Sequence, residues 1–311
     1  MTDTEKYARP DASSMDLQIS IRDDAAPADR ENAERSVAAL VERSASAVAR
    51  ERASEAEVAE LTAPLDAPLV KLIEGDPSAV RALERLRSRE LVRPDAAATL
   101  GDGGVSASAF DTAPMRPHGA ELRSLGFVPP YDFSWAWHDG NGHPPFSRIL
   151  DRSTGGVGLD ARSGLVAGGA SGFVNAHAGF GVFLRSDTPG QRFPHAVLNP
   201  GRFSHVMKAV GVGSNATSEG GFELTVFEDG RLLAAASRKL WRARISAGES
   251  SSGGQGPVLM AGPELQFTIQ PGRGYTFNAG IWVFSDRSTG IGGAAVQSLL
   301  QGVVTRMWVF G

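Results

Sequence analysis

From residue 131 onward, apolar and polar positions alternate in short runs that Gly, Pro, Asp and Ser interrupt. A two-residue period marks a strand with one buried face, and the interrupting residues are turn formers. Tyr131, Phe133, Trp135 and Trp137 occupy every second position, which predicts a strand with one aromatic face. Further strands are predicted at 172–184 (with Gly179 and Gly181 as bulge sites), 203–210, 222–227, 232–245, 265–269, 275–284 and 302–310. Glu228-Asp229-Gly230-Arg231 predicts a tight type I′ hairpin between two of them. Residues 248–256 read as a flexible Ser/Gly loop and 286–293 as a turn-rich interruption. Met307, Trp308, Val309 and Phe310 place large apolar groups on both faces of the last strand, so it needs cover on both sides. About eight strands at this spacing predict a mainly β fold, an antiparallel β-sandwich of jelly-roll type.

The period changes in the first third of the chain. Residues 29–61 lack Pro and Gly, and Val37, Leu40, Val41, Val48, Val58 and Leu61 form a thin apolar stripe at helical spacing. Much of the remaining face is alanine, so this helix needs a partner surface. A second, short helix is predicted from Asp66 to Gly75, and Asp76-Pro77 is the cap of a third that ends before Pro94. Arg81, Arg85, Arg87, Arg89 and Arg93 on that third helix read as a solvated face with Glu84 and Glu90, not as a nucleic-acid surface. The expected organisation is a disordered polar tail at 1–27, a helical segment at 28–94, a linker or long loop at 95–126 and the sandwich at 127–311. Within the tail, residues 17–21 alternate and are a candidate edge strand.

Composition narrows this picture. The chain has 311 residues, 41% hydrophobic and 21% charged, which is enough to bury a sizeable core. A net charge of -4 speaks against a general nucleic-acid binder. No cysteine is present, which excludes disulfides, thiol catalysis and thiolate metal sites. No run of about 20 apolar residues predicts a membrane span. The N-terminus lacks the layout of a secretion signal, so a soluble cytoplasmic protein is expected, with signal-less export left open.

Candidate chemistry is sparse. There is no G-x-S-x-G elbow, P-loop or H-E-x-x-H pair, and no catalytic residue is assigned. In His138-Asp139-Gly140-Asn141-Gly142-His143, Asp139 and Asn141 could offer oxygens to Ca²⁺, but further acidic ligands are missing and the same residues make ordinary turns. Exposed, Tyr131, Phe133, Trp135 and Trp137 would form a platform for a sugar ring or a protein partner; buried, they would be core. His177 and His205 read as structural. Either would become an acid–base pair beside Asp187 or Glu223, although no spacing demands it. The reading is a non-enzymatic interaction or structural protein, a sandwich that binds a protein partner or copies of itself, with the helices as a docking or oligomerisation arm. The alternative is a lectin-like, glycan-binding sandwich using the aromatic strand, assisted by calcium at Asp139 and Asn141. A hydrolase on the same scaffold ranks below both.

Overall fold

The computed structural model describes residues 17–87, 125–140, 147–163 and 172–311. Residues 1–16 of the expected disordered tail at 1–27, most of the expected linker and Asn141 lie outside the described residues; the rest of that tail holds a strand at Gln18–Ile21 and the start of a helix at Pro27. The protein is mainly β: two antiparallel sheets in a sandwich-like arrangement, with a long helix ahead of them. The front sheet runs β1 (Gln18–Ile21), β3 (Phe133–Gly140), β6 (Gly172–Leu184), β12 (Tyr275–Ser288), β8 (Asn215–Glu228) and β9 (Arg231–Ser246). The back sheet runs β10 (Ser250–Ala261), β7 (Gly190–Val210), β13 (Gly293–Phe310), β5 (Gly156–Ser163) and β4 (Ser147–Asp151). Two short strands extend the back sheet, β2 (Leu125–Phe127) on β13 and β11 (Phe267–Ile269) on β7. Two helices, α1 (Pro27–Glu74) and α2 (Pro77–Arg87), precede the strands, apart from β1.

The inner faces of the two sheets make the main core. Phe180, Phe222, Phe277, Ile281 and Val283 of the front sheet meet Leu159, Leu198, Leu300, Val304 and Met307 of the back sheet there. Where alternation predicted a strand, as for Phe180, Phe222, Phe277 and Met307, its inward residues fill the sandwich; Leu159, Leu198 and Leu300 come from stretches that were not predicted as strands. The β8–β9 turn has both Asp229 (φ 49°) and Gly230 (φ 79°) left-handed, as a type I′ hairpin requires.

The strand count differs from expectation, because thirteen strands are present among the described residues where about eight were predicted. Residues 250–256, expected as part of a flexible loop at 248–256, instead form the first part of edge strand β10 (Ser250–Ala261) against β7. The pairing comes from backbone hydrogen bonds, which need no apolar pattern in the side chains. β12 continues through Asp286 to Ser288, because Arg287 is buried and donates to the Ala294 carbonyl (2.8 Å). Gly179 and Gly181 are not bulges, since β6 pairs with β3 and β12 without a register shift. Instead, aromatic rings lie flat across glycine: a Cβ on Gly181 would sit 2.0 Å from Phe133 Cζ, and one on Gly280 2.7 Å from the Trp135 ring. The last strand buries Met307 and Val309 inward. Its outer residue Trp308 is covered by neighbours in its own sheet, His195 (ring centroids 5.5 Å apart) and the Arg306 guanidinium (5.7 Å). On its other flank Gly126 of β2 stands opposite Trp308.

The two predicted helices of 29–75 are one helix, α1. Pro64 and Pro68 lie inside it on an exposed stretch, where water can satisfy the carbonyls that lose their N–H partners. Gly75 ends α1 by donating to the Lys71 carbonyl (3.0 Å). Asp76 then caps α2 by accepting from the Ser78 hydroxyl (2.7 Å) and the Ser78 amide (2.8 Å), and these bonds, the hydroxyl's first, hold its carboxyl below the usual aspartate range.

A second core lies outside the front sheet. Ala33, Val37, Leu40 and Val41 of α1 cover Phe133, Trp135, Trp137 and Phe227. A boundary at residue 127 therefore cuts through a shared core. β1, the candidate edge strand, pairs with β3 beside it, and Ile19 and Ile21 pack on the same cluster.

Candidate functional site

The polar part of this outer face is built by strand register. Trp137 of β3 and Trp282 of β12 both stand opposite His177 of β6; Gly221 of β8 stands opposite Trp282, and Lys239 of β9 opposite Gly221. These side chains make one row across the front sheet. A row on one side holds Asn175, Phe284, Glu219 and Arg242, and the row on the other side holds Glu223 and Ser237. The His177 imidazole stacks on Trp137 with ring centroids 4.4 Å apart and planes 10° off parallel. Its Nδ1 lies 2.8 Å from Glu223 Oε1. Its Nε2 lies 2.8 Å from Ser44 Oγ, which α1 brings down onto the sheet, and 3.2 Å from Asn175 Oδ1. Asn175 Nδ2 donates to Ser44 Oγ at 3.1 Å. A serine, a histidine and a glutamate are thus linked in series at the wall of a pocket of about 260 Å³ between α1 and the sheet. Trp282, Phe284, Leu40 and Val48 give this pocket apolar sides, and Lys239 and Glu219 form an ion pair at its edge. Glu219 is almost fully buried, and Arg242 at 2.8 Å supplies the second cation that offsets its desolvation.

The same contacts hold α1 in place. Asn32 Oδ1 accepts from the Gly230 amide (2.8 Å) in the hairpin turn, and Ser36 Oγ bonds Thr276 Oγ1 (2.8 Å). Arg52 pairs with Asp286 (2.6 Å), its guanidinium 4.3 Å from the Phe173 ring centroid. Further out, Glu55 faces Arg244 (3.7 Å). Burial first, and the nearby Asp286 second, push the Glu55 carboxyl above its usual range. From Arg52 outward, a cleft of about 620 Å³ lies between the outer half of the helix and residues 212–215 and 286–291. No residue of this outer half is buried, and Val58, Leu61, Leu65, Leu69 and Leu72 are 51–74% exposed.

The sequence candidates fare unevenly. Phe133, Trp135 and Trp137 are fully buried beneath α1. Tyr131 is buried too, but in the inter-sheet core, stacked on Phe180 with its hydroxyl on the Val304 carbonyl (2.8 Å). It precedes β3, and a bend at Asp132 breaks the alternation that would have kept it with the others. An exposed platform for sugar is therefore not what these rings make. Trp137 meets the site only through its stack on His177 and does not line the pocket itself. Asp139 lies on the α1 side of β3, opposite Asn175, with its carboxyl pushed up by burial. Among the described residues, no group of three or more His, Asp or Glu could hold a metal ion. His177 does meet Glu223, whereas His205 lies on β7 in the back sheet and Asp187 is exposed in the connection before it. Ser44, Asn175 and Glu219 were not anticipated; Ser44 sits in an alanine-rich stretch of helix that carries no motif.

No protein-family model and no curated protein matches the chain. Among solved structures, Arthrobacter globiformis T6 isomalto-dextranase complexed with panose aligns at 13% identity and a TM-score of 0.13, over 54% of this chain and 34% of that one. A TM-score this low carries no argument about fold or function. Among the described residues, no helix is long and apolar enough to cross a membrane.

Proposed function

We propose that the protein is an interaction module that pairs with a second copy of itself, the sandwich serving as the base that holds α1 as an arm. The observation that carries this reading is the exposed stripe on the outer half of α1. Val58, Leu61, Leu65, Leu69 and Leu72 follow one another at steps of three, four, four and three residues. That spacing reads the same from either end about Leu65. A two-fold contact puts the same patch on both partners, so two antiparallel copies can interleave these side chains, with Leu65 against Leu65. Glu57 and Lys71 flank the stripe on one side, near its two ends. In the antiparallel pair each Glu57 comes opposite the other copy's Lys71, twice over by symmetry.

The clamps at Asn32, Ser36 and Arg52 fix the direction of the arm, so little ordering is left to be done on association. The stripe is short: five side chains on each copy, against the ~20–30 residues a side of a standard interface, so a dissociation constant of about 1–100 μM is expected. Sedimentation equilibrium of the full chain from about 1 to 100 μM spans that range. A concentration-dependent dimer is expected, and Leu65→Glu should leave a monomer with an unchanged melting temperature. A wild-type chain that stays monomeric at the top concentration, or a dimer that survives Leu65→Glu, overturns the reading.

A further inference from the structure

The polar network under the inner half of α1 does more than a clamp requires. Asn32, Ser36 and Arg52 each reach the sheet through one hydrogen bond or ion pair. Ser44 instead ends a chain of three groups, with Ser44 Oγ to His177 Nε2 at 2.8 Å and His177 Nδ1 to Glu223 Oε1 at 2.8 Å. The serine is partly exposed and lines the pocket, while the imidazole behind it is buried. That is the order of access a nucleophile and its base need.

We propose that Ser44, His177 and Glu223 form an acyl-transfer site that hydrolyses esters of short carboxylic acids. In the tautomer with hydrogen on Nδ1, His177 donates to Glu223 and turns the Nε2 lone pair toward the Ser44 hydroxyl. Ser44 Oγ attacks the ester carbonyl carbon as its proton passes to His177 Nε2. The resulting imidazolium is held by the Glu223 carboxylate at Nδ1, by Asn175 Oδ1 at Nε2 (3.2 Å) and by the face of Trp137 (4.4 Å). Asn175 Nδ2, 3.1 Å from Ser44 Oγ, is the amide donor beside the reacting carbon and would meet the oxyanion. The C–O bond to the alcohol then breaks, and the alcohol leaves with the proton from His177. Water, deprotonated by His177, attacks the Ser44 ester; the carboxylic acid departs and the serine regains its hydrogen. The balance needs no oxidant, metal or second substrate beyond water.

The pocket sets the substrate class. About 260 Å³ between Trp282, Phe284, Leu40 and Val48 is small for a ligand site, and it takes a short acyl chain rather than a lipid tail or a polymer.

The test uses the full chain with 4-nitrophenyl acetate and with an alkyl fluorophosphonate, which phosphonylates an activated serine and releases fluoride. The wild type should hydrolyse the ester and carry the phosphonyl group on Ser44, located by peptide mass mapping. Ser44→Ala should lower kcat/KM by at least about 10³-fold with the label gone, as loss of a nucleophile does. His177→Gln should leave Ser44 unlabelled, while Ser54→Ala on the exposed helix surface should behave as wild type. A melting curve accompanies each variant; should His177→Gln unfold, the wild-type label and Ser44→Ala still decide. Labelling elsewhere, no labelling at all, or an unchanged rate in Ser44→Ala overturns the proposal and leaves these residues as a clamp. None of these outcomes depends on whether the chain dimerises.

Discussion

The two halves of α1 reverse what their hydrophobicity predicts. Residues 27–52 contain one leucine, Leu40, and every buried residue of the helix. Residues 53–74 contain four leucines and no buried residue. A helix buries the face for which a surface is on offer, and the front sheet offers one only to the inner half. That surface is a layer of rings lowered onto glycines: Phe133 over Gly181, Trp135 over Gly179 and Gly280. Because the rings lie flat, small side chains such as Ala33 and Val37 close against them. Side-chain bonds at Asn32, Ser36, Ser44 and Arg52, all multiples of four apart, then fix the helix along the sheet. The outer leucines meet no such surface, and that is why they are read as a contact with another copy.

The harshest way to break this comparison is to remove α1. A fragment of residues 125–311 exposes Phe133, Trp135, Trp137 and Phe227 together. At about 1.5–3 kcal/mol for each large apolar side chain, the loss is about 6–12 kcal/mol. A whole domain has about 5–15 kcal/mol of stability. The fragment should aggregate and show no cooperative melting by circular dichroism. If it stays soluble with a sharp transition, the inner half is attached to the sandwich rather than part of it, and the two halves of α1 no longer differ in kind.

Single substitutions sharpen the contrast. Arg52→Ala removes the ion pair with Asp286 and the cover over Phe173, leaving a largely buried carboxylate short of its cation. A cost of about 1–3 kcal/mol is expected in urea unfolding of the full chain. Glu60→Ala on the exposed outer half should stay within about 0.5 kcal/mol of wild type. Equal costs at the two positions would mean that the outer half is supported as well as the inner, and the arm would lose its distinct status.

Much of the fold was legible because a period of two survives wherever one strand face is buried. Strand β6, the 229–230 hairpin and the Asp76-Pro77 cap could be read directly for that reason or from turn chemistry. Strand β10 could not, because Ser250 to Gly256 has no apolar pattern and its pairing with β7 is a backbone matter. The join of two predicted helices was hidden by Pro64 and Pro68, which stop a buried helix more firmly than one open to water. The site was half legible. His177 and Glu223 could be set side by side as strand residues, but their contact depends on β12 lying between their strands. Ser44 stands 133 positions from His177, and only the docking of α1 brings them together. Nothing local to Arg43-Ser44-Ala45 records that.

The smallest expected effect lies at the junction of the two halves, at Glu55. Its carboxyl titrates above the usual glutamate value of 4.5, first because of burial and next because of Asp286, with Arg244 opposing. A raised folded value means that the folded chain holds this proton more tightly than the unfolded chain does. The stability linked to it is therefore fully present below the ordinary glutamate range and is lost as pH rises through the folded value. At neutral pH the charged carboxylate is a net burden on the junction. Glu55→Gln keeps the shape and removes the charge, so it should raise the melting temperature at pH 7, by less than Arg52→Ala lowers it. The gain should shrink as pH falls through about 4 and vanish below the ordinary glutamate range, where wild-type Glu55 is itself protonated in both states. Melting curves of the two proteins from pH 4 to 7 measure this directly. A Glu55→Gln protein that melts lower at pH 7 would mean that the pair with Arg244 outweighs burial, and the grip of the sheet on α1 would then extend a turn further out than Arg52.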